Sequence, residues 1–311
     1  GINEAKIIYG STSDANKITL FNCFPSTSRN FSSTFSITRY SCHYLILGKH
    51  LHSFNDPSFY EARVYFNELT YWCLPDSLQG KMQIDENGVL KMLNISFVNF
   101  NEKNEDAINN TQIDDNTNLL LKKCVDYSSS NFFLTPKIEQ YTCLEIHKLN
   151  DSSIDDFLSN IFLYEQFLSI ATLEVVVCSK IFLYDRNLFH EANGSKRFDK
   201  IELIYIQRDN GNKYKPTKRD NYLFLYDTIK NQYDGIIKKW FAEKGGIAPI
   251  RIHLIESIKP TRIFTSIDFL IVIQALDGFC LRFRKDELKK IAKDKPQNKQ
   301  ASLGDMICLL K

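Results

Sequence analysis

Three histidines lie close to a cysteine near the start of the chain, and imidazole and thiolate groups are zinc ligands. They are His43, His50 and His52, beside Cys42. A structural zinc site normally takes two pairs of ligands at defined spacing. His50 and His52 form one such pair, but the sequence offers no matching second pair. We therefore predict no metal site and interpret these histidines as ordinary surface or core residues.

A second pattern has the arginine and histidine of a ribonuclease motif. Arg186 and Asn187 precede His190. In such a motif both residues lie on a helix, so that the guanidinium and the imidazole share one face of successive turns. Here the arginine follows a predicted strand and precedes a turn at Asn193 and Gly194, and the spacing is one residue short. We interpret this pair as non-catalytic.

A basic run in the last fifty residues could bind phosphate. The members that we single out for nucleic-acid contact are Arg282, Arg284, Lys285 and Lys289. Basic side chains neutralise phosphates, but cations are also favoured at the C-terminal end of a solvated helix. Both interpretations stay open. A basic stretch at residues 213–219 is a further candidate of the same kind.

The sequence lacks the motifs that would name a cofactor or a reaction. It has no glycine-rich phosphate loop, no G-x-S-x-G elbow and no paired-cysteine metal motif. We therefore predict no cofactor. On residue chemistry alone, the chain does not specify an enzyme.

The composition is that of a globular protein with little net charge. The 311 residues carry a formal charge of +2, and 43% are hydrophobic, so no global charge favours nucleic acid or membrane. The eight cysteines are scattered, which favours reduced thiols. The densest apolar stretch, residues 269–273, is too short to span a bilayer. We predict a soluble, cytoplasmic protein. Because the chain opens on Gly1 and a helical pattern continues to Lys311, we expect a piece of a longer protein.

Alternating patterns predict strands and turns in the first 150 residues. The main predicted strands are residues 18–21, 35–47, 61–66, 80–84, 89–95, 118–125 and 142–149. Within the third, alternation places Ala62, Val64 and Phe66 on one face. The pair Asn87-Gly88 predicts a hairpin turn. Residues 101–118 are almost wholly polar, and we interpret them as a mobile loop.

Helical patterns begin after residue 150. Ser153 and Asp156 have the spacing of a capping box, and helical spacing continues through Thr172. Strands at residues 174–183 and 201–207 precede a second predicted helix, which carries the apolar stripe of residues 229–241.

The pattern over residues 266–293 predicts one long helix. Polar residues such as Gln274 and Asp277 recur at helical spacing, while the other positions are apolar nearly all round. A helix of this kind is buried on most of its circumference. We therefore expect it to pack against sister helices, the β-rich part or another subunit.

Two stretches carry longer motifs. The first reads YLILGKH at residues 44–50, then FYEARVYF at 59–66 and NELTYW at 67–72. The second reads FLIVIQALDGF at residues 269–279. Both resemble the ApeA-type anti-phage defence proteins of bacteria. The first is similar to that family's N-terminal module, and the second to the helix that opens its C-terminal HEPN domain, with Asp277 where the family usually has Glu.

Together, the pattern and the resemblance predict an α+β fold with two modules. Residues 1–256 are expected to form a β-rich N-terminal module of sandwich-like antiparallel sheets with a few packed helices. The resemblance gives this module the role of sensing infection or restraining a nuclease. Residues 257–311 are expected to begin an all-α, HEPN-like helical module.

The resemblance also implies a function, that of a metal-independent endoribonuclease in abortive infection. Its R-x(4–6)-H motif would follow Lys311, and Gln274 and Asp277 would form a polar face near the active site. RNA would be the substrate, and a phage protein or nucleic acid the trigger. The helical module would form a homodimer or a higher homo-oligomer, with no membrane partner.

Two other functions remain compatible with the sequence. The chain could be a binding protein without catalysis that recognises a phage protein or a nucleic acid. It could also be a structural or assembly subunit. The nuclease requires an Arg–His pair on a helix, and neither alternative does.

Overall fold

The computed structural model describes residues 5–30, 36–73, 78–97, 105–130, 135–192, 194–206, 219–242, 248–258 and 266–293. By its internal contacts the chain divides into two compact units. Unit 1 comprises Gly1–Phe162 and Val177–Pro216, and unit 2 comprises Leu163–Val176 and Thr217–Lys311. The domain boundary at residue 256 stays a prediction. Among the described helices, none is both long and apolar enough to cross a bilayer.

Antiparallel strands dominate unit 1. They are β1 Ala5–Ser11, β2 Lys17–Asn30, β3 Ser36–Leu47, β4 Phe59–Phe66, β5 Leu78–Ile84, β6 Leu90–Phe97, β7 Glu105–Asp114, β8 Thr117–Ser130, β9 Thr135–Ser152, β10 Cys178–Tyr184, β11 Phe189–Ala192, β12 Ser195–Phe198 and β13 Ile201–Tyr205. Nine of them form one sheet in the order β1-β2-β3-β13-β10-β4-β9-β8-β7, and β5-β6 and β11-β12 form two separate two-stranded sheets. The predicted β-rich, antiparallel character is confirmed. In place of the two facing sheets of a sandwich, the described strands build one large sheet.

One face of this sheet, the inner face, carries the core of unit 1. Successive side chains of a strand point to opposite faces, and the alternate apolar residues of the central strands are buried. They include Ala62, Val64, Phe66, Leu144, Ile146, Ile181 and Leu183. Burying each side chain of valine or leucine size contributes about 1.5–3 kcal/mol. The predicted shared face of β4 is confirmed, and Glu61, Arg63 and Tyr65 alternate with these residues on the outer face.

The predicted loop at residues 101–118 was wrong from residue 105 onward. β7 occupies Glu105–Asp114 and pairs antiparallel with β8. The Asp114 carboxylate accepts a hydrogen bond of 2.8 Å from the Asn116 amide in the turn between them. β7 is the last strand of the sheet, and an edge strand pairs on one side only, so polar side chains are tolerated there. Residues 101–104 lie outside the described part.

The hairpin predicted from Asn87-Gly88 is confirmed between β5 and β6. Gly88 has φ +79°, a region that glycine adopts without steric cost. The Asp85 carboxylate accepts hydrogen bonds of 2.9 Å from the amides of Asn87 and Val89. The side chain of Asp85 thus fixes the turn that joins the two strands.

Two strands of the large sheet, β4 and β9, are each followed in the chain by a helix. α1 is Leu69–Cys73 and contacts β4 and β9. α2 is Ile154–Thr172, as the apolar spacing predicted. Its capping box is confirmed, because the Asp156 amide donates to Ser153 Oγ at 3.2 Å and the Ser153 amide donates to Asp156 Oδ2 at 3.1 Å.

Unit 2 is helical in its described residues. Its helices are α3 Tyr226–Ile229, α4 Tyr233–Ala242, α5 Ala248–Ile258, α6 Ser266–Phe283 and α7 Lys285–Lys293. The second half of α2 also belongs to it, and Tyr164 and Tyr233 share a hydrogen bond of 2.9 Å between α2 and α4. Trp240 Nε1 donates to the Leu163 carbonyl at 2.8 Å. Because α3 ends at Ile229 and α4 begins at Tyr233, the single helix predicted over residues 229–241 is interrupted between these two residues.

The long helix predicted over residues 266–293 is two helices, α6 and α7, separated at Arg284. Ala275 and Cys280 of α6 are buried, but Ile267, Leu270 and Leu281 are each more than half exposed. Within the described part of the chain, the expected burial of this helix is therefore incomplete, and its packing against another subunit stays a prediction. Several apolar side chains of α6 remain exposed to solvent in the described part of the chain. The helical character of this part agrees with the prediction, and its identity as a HEPN module stays a proposal.

Candidate functional site

Polar side chains of the central strands meet on the outer face of the sheet. In the register of β10, β4 and β9, Phe182 lies opposite Arg63, and Arg63 lies opposite Glu145. Residues directly opposite each other in neighbouring strands bring their side chains together on one face. A phenyl ring, a guanidinium and a carboxylate therefore lie in a row across three strands.

Glu145 is the centre of a buried ion-pair network. Its side chain is 1% exposed and forms ion pairs with Arg63 and with Lys122, whose Nζ lies 2.7 Å from Oε2. His147 Nε2 lies 3.1 Å from the same carboxylate oxygen. Burial alone would raise the pKa of Glu145, but the hydrogen bond with His147 and the charges of Arg63 and Lys122 outweigh it and lower the pKa to about 2. Glu145 is therefore an anion at any physiological pH.

Glu61 lies at the edge of this network with the opposite pKa shift. Its Oε2 is 3.7 Å from His147 Nδ1, so the imidazole lies between two carboxylates. Burial and the nearby charge of Glu145 raise the pKa of Glu61, although His147, Arg63 and Lys122 act against this shift. Two glutamates on the same sheet face thus differ in proton affinity, and Glu61 binds a proton more readily than Glu145.

The same residues offer three atoms of the kinds that bind metals. Ligand atoms of Glu61, Glu145 and His147 all lie within 4.8 Å of one another. However, Arg63 and Lys122 already form ion pairs with Glu145, and a metal cation would be repelled by both. We interpret the set as an ion-pair network that supports the neighbouring surface.

Beside the network, the outer face forms an open groove with a volume of about 570 Å³. We call it the β4–β10 groove. Its lining residues are Arg63, Tyr65, Cys124, Val125, Asp126, Tyr141, Ser179, Lys180, Phe182 and Lys200. Cations and aromatic rings thus line one groove, and Arg63 belongs both to the groove and to the ion-pair network.

Three rings form the aromatic wall of the groove. The Tyr65 ring centroid lies 5.6 Å from that of Tyr141 and 6.0 Å from that of Phe182. Tyr65 and Phe182 meet edge to face at 85°, an arrangement that aromatic pairs prefer. Burial raises the pKa of both tyrosine phenols, and the protonated Tyr141 hydroxyl donates a hydrogen bond to the Asp126 carboxylate.

Two lysines flank this wall. Lys180 Nζ lies 5.4 Å and Lys200 Nζ 5.3 Å from the centroid of the Phe182 ring. Both lysines are exposed. A register shift between Cys178 and Lys180 marks a bulge in β10, and bulges re-aim side chains next to functional sites. As a result, two consecutive residues, Ser179 and Lys180, both line the groove.

A second cleft opens at the far side of the network. It is lined by Tyr60, Asn110, Gln112, Asp115, Asn116, Thr117, Asn118, His147, Lys148, Leu149 and Arg186. The Arg186 guanidinium stacks 4.7 Å from the Tyr60 ring centroid, and its Nε donates to Asp151 at 3.0 Å. His190 lies in β11 and its Nδ1 is 3.0 Å from Asp199. Arg186 thus follows a strand, as predicted, and Arg186 and His190 contact different carboxylates.

The three N-terminal histidines contact aromatic rings. The His50 and His52 rings lie 5.3 Å and 6.4 Å from the Tyr9 ring. His43 lies 5.2 Å from Phe24. All three histidines are exposed.

The C-terminal candidate residues lie on α6, on α7 and at the break between them. Gln274 is exposed and Asp277 half-buried on α6. Arg282 lies at the end of α6 and Lys285 at the start of α7, and both are exposed. The other two members of the run have acidic neighbours: Arg284 pairs with Glu287 at 2.7 Å and Lys289 with Asp286 at 3.9 Å. Their roles in nucleic-acid contact stay predictions.

The groove and the network were not predicted from the sequence. The signal was present as polar or aromatic residues at alternate positions, such as Glu61-x-Arg63-x-Tyr65 in β4 and Lys180-x-Phe182 in β10. Alternation identifies an outer face, but it does not say which strands are neighbours.

Comparison with known families identifies the chain as a relative of one of them. The family model described as ApeA N-terminal domain 1 matches residues 1–240. Neither a curated protein nor a solved structure matches significantly. Because the match covers most of the chain, the chain belongs to the ApeA N-terminal domain 1 family, which indicates a role in bacterial anti-phage defence.

Proposed function

We propose that this member of the ApeA N-terminal domain 1 family recognises a signal of infection at the β4–β10 groove and thereby controls a ribonuclease effector. Family membership supports the defence role. The observation that carries the recognition role is the groove itself, where cations and aromatic rings line an open sheet face.

The groove has the properties of a preorganised binding surface. Ligand sites typically combine apolar and aromatic walls with a few polar groups in fixed places. Here the ion pair with Glu145 holds the guanidinium of Arg63, and the ring contacts of Tyr65 orient Phe182 and Tyr141. A surface that is ordered before binding loses less side-chain entropy on binding.

The proposed effector is a HEPN-type endoribonuclease that needs no metal. In this chemistry the ribose 2′-oxygen attacks the adjacent phosphorus and the bond to the 5′-oxygen of the next nucleotide breaks. A histidine transfers protons and an arginine stabilises the negative charge that develops. The resemblance of residues 269–279, within α6, to the opening HEPN helix supports this part. The proposal expects the Arg–His motif after Lys311.

The helical residues receive roles from the same proposal. Gln274 and Asp277 would form a polar face near the active site. Contacts to RNA phosphates would come from Arg282, Arg284, Lys285 and Lys289. A phage protein or nucleic acid would be the trigger, RNA the substrate and the cytoplasm the place of action. The exposed apolar residues of α6 would mediate a homodimer or a higher homo-oligomer.

A phage challenge tests the recognition role. Bacteria that express the natural full-length protein are infected, and the efficiency of plating is compared with that of the double variant Lys180→Ala/Lys200→Ala. We expect the variant to lose protection by at least tenfold at an unchanged protein level. The matched control is Lys6→Ala/Lys17→Ala, which removes two exposed lysines of unit 1 that do not line the groove.

The same infected cultures separate the nuclease from its alternative. Sequencing of total RNA should show new cleavage products only in infected cells that express the wild-type protein. Protection with intact RNA would contradict the nuclease and favour a non-catalytic binding protein. Full protection by the groove variant would contradict recognition at the groove.

A further inference from the structure

We propose that the β4–β10 groove binds a phosphorylated nucleoside, with the base against the aromatic wall and the phosphate at Lys180 and Lys200. This inference rests on the proposed function, because it names the ligand of the groove to which that function assigns recognition.

The aromatic wall has the composition of a surface that receives a nucleobase. Every base has a π-face, so stacking on aromatic side chains is a general mode of base binding. The Tyr65 ring centroid lies within 6.0 Å of those of both Tyr141 and Phe182. The contacts of Tyr65 keep the other two rings in place before the ligand arrives.

The lysines are placed for a phosphate that is attached to such a base. Both ammonium groups lie within 5.4 Å of the Phe182 ring centroid. Anything that contacts this ring is therefore close to both charges. Lysine binds phosphate as a flexible point charge, and the exposed positions of Lys180 and Lys200 let the ammonium groups approach a ligand from solvent.

Fixed polar groups in the groove can read the edge of the base. The Tyr141 hydroxyl donates to the Asp126 carboxylate, and the Tyr65 hydroxyl accepts from Arg63 and keeps its own proton to donate. Arg63 lines the same groove, and its ion pair with Glu145 holds the planar guanidinium in place. Hydrogen bonds of this kind give discrimination among bases, whereas stacking does not.

The charge of the groove favours an anion of modest charge. Apart from the Arg63–Glu145 pair, the lining carries two lysines and one carboxylate, Asp126. The exposed Asp126 reduces the positive potential without cancelling it. The volume of about 570 Å³ lies within the roughly 300–1,000 Å³ that is usual for small-molecule sites. A free nucleotide fits this combination of size, charge and aromatic lining.

Direct binding to the full purified chain tests the inference. Isothermal titration with ATP, GTP, CTP and UTP in separate experiments should give saturable binding of at least one of them. Lys180→Ala/Lys200→Ala should weaken that binding by at least tenfold, and Phe182→Leu by about fivefold or more. Asp126→Asn should strengthen it, because the substitution removes the carboxylate that opposes the phosphate.

Controls separate a local effect from unfolding and a free nucleotide from a nucleic-acid end. Lys6→Ala/Lys17→Ala should bind as wild type, and circular dichroism should show the same melting temperature for every variant. A 5′-phosphorylated single-stranded ten-residue RNA is titrated in parallel. Tighter binding of this RNA than of any nucleotide would assign the same chemistry to the terminus of a strand.

Failure of this inference is distinguishable from failure of the proposed function. If folded protein binds neither the four nucleotides nor the RNA at 1 mM (about the weakest useful affinity), or if the groove variants bind as wild type, the inference is overturned. Loss of phage protection by the groove variant would then still support recognition of another ligand. Nucleotide binding with full protection by the groove variant would overturn the proposed function instead.

Discussion

Glu145 illustrates how a carboxylate is accommodated inside a sheet. Taking such a group out of water costs several kcal/mol, and the cost is offset here by Arg63, Lys122 and His147. Each of these partners has another neighbour or solvent beside it, so the network does not trap an unpaired charge. The network also holds Arg63, and through it one wall of the groove.

Replacing Glu145 with glutamine should destabilise the protein by about 3–5 kcal/mol at pH 7, because one partner of a buried ion pair is removed and the cations remain. The lowered pKa of about 2 means that the carboxylate stabilises the fold fully above its unfolded pKa of about 4.3. This contribution is lost as the pH falls toward 2. The difference between wild type and variant in urea unfolding should therefore shrink over that interval.

The control for this substitution is Glu139→Gln on the same strand. Glu139 pairs with Lys137 at 2.6 Å, but both side chains are more than half exposed. Exposed pairs contribute little, so we expect a change of at most about 0.5 kcal/mol. Equal effects of the two substitutions would show that burial of Glu145 is not what makes it important.

Glu61 should respond in the opposite direction. Burial and the charge of Glu145 raise the pKa of Glu61, so its ionised form is disfavoured in the folded protein. This penalty is absent below the unfolded pKa and grows as the pH rises through it toward the folded pKa. Glu61→Gln should therefore raise the melting temperature at pH 7 and leave it unchanged at pH 3.5. A lower melting temperature at pH 7 would contradict the assigned pKa direction.

At this scale the sequence predicts which residues share a strand face, and no more. The buried set Ala62, Val64 and Phe66 follows from period-two alternation alone. The pairing of Arg63 with Glu145 does not, because it depends on which two strands become neighbours. The order β10-β4-β9 is set by packing of the whole sheet.

The elements were best predicted where a local signal fixes their ends. The capping box at Ser153 places the start of α2, and Asn87-Gly88 places the turn between β5 and β6. β7 was missed because its Asn- and Asp-rich composition is typical of loops. It is a strand because β8, whose inner-face residues Leu119 and Leu121 are buried, offers it a partner.

The capping box of α2 gives a prediction at the element scale. Ser153→Ala removes the acceptor of the Asp156 amide and a hydroxyl that donates to the Asp156 carboxylate at 2.7 Å. We expect a loss of about 1 kcal/mol in the free energy of unfolding, measured by chemical denaturation. Ser159→Ala, an exposed position within the same helix, is the control. It should be neutral or slightly stabilising, since alanine favours a helix interior. A similar loss in both variants would contradict the cap.

At the scale of the whole molecule, the groove depends on distant parts of the chain. Arg63, Asp126, Tyr141, Lys180 and Lys200 come from different strands and from the turn before β13. Sequence patterns predict the β-rich and helical parts and their order. They do not predict the groove, because strand order is a non-local property of the sheet.

The exposed face of α6 gives the last prediction, which concerns the proposed homodimer. Leu270, Gln274, Asp277 and Leu281 follow one another at helical spacing on one face, and both leucines are more than half exposed. A second copy that lays the same face against this one would bury the leucines, and it would bring two copies of the polar pair together. A two-fold interface is self-complementary in this way. We expect Leu270→Glu/Leu281→Glu to halve the molar mass measured by light scattering for the full-length protein, because like charges would face each other across the axis. The control is Ile252→Glu, an exposed apolar residue of α5, which should leave the mass unchanged. A wild type that is monomeric at every accessible concentration, or a double variant that keeps the wild-type mass, would contradict dimerisation through this face.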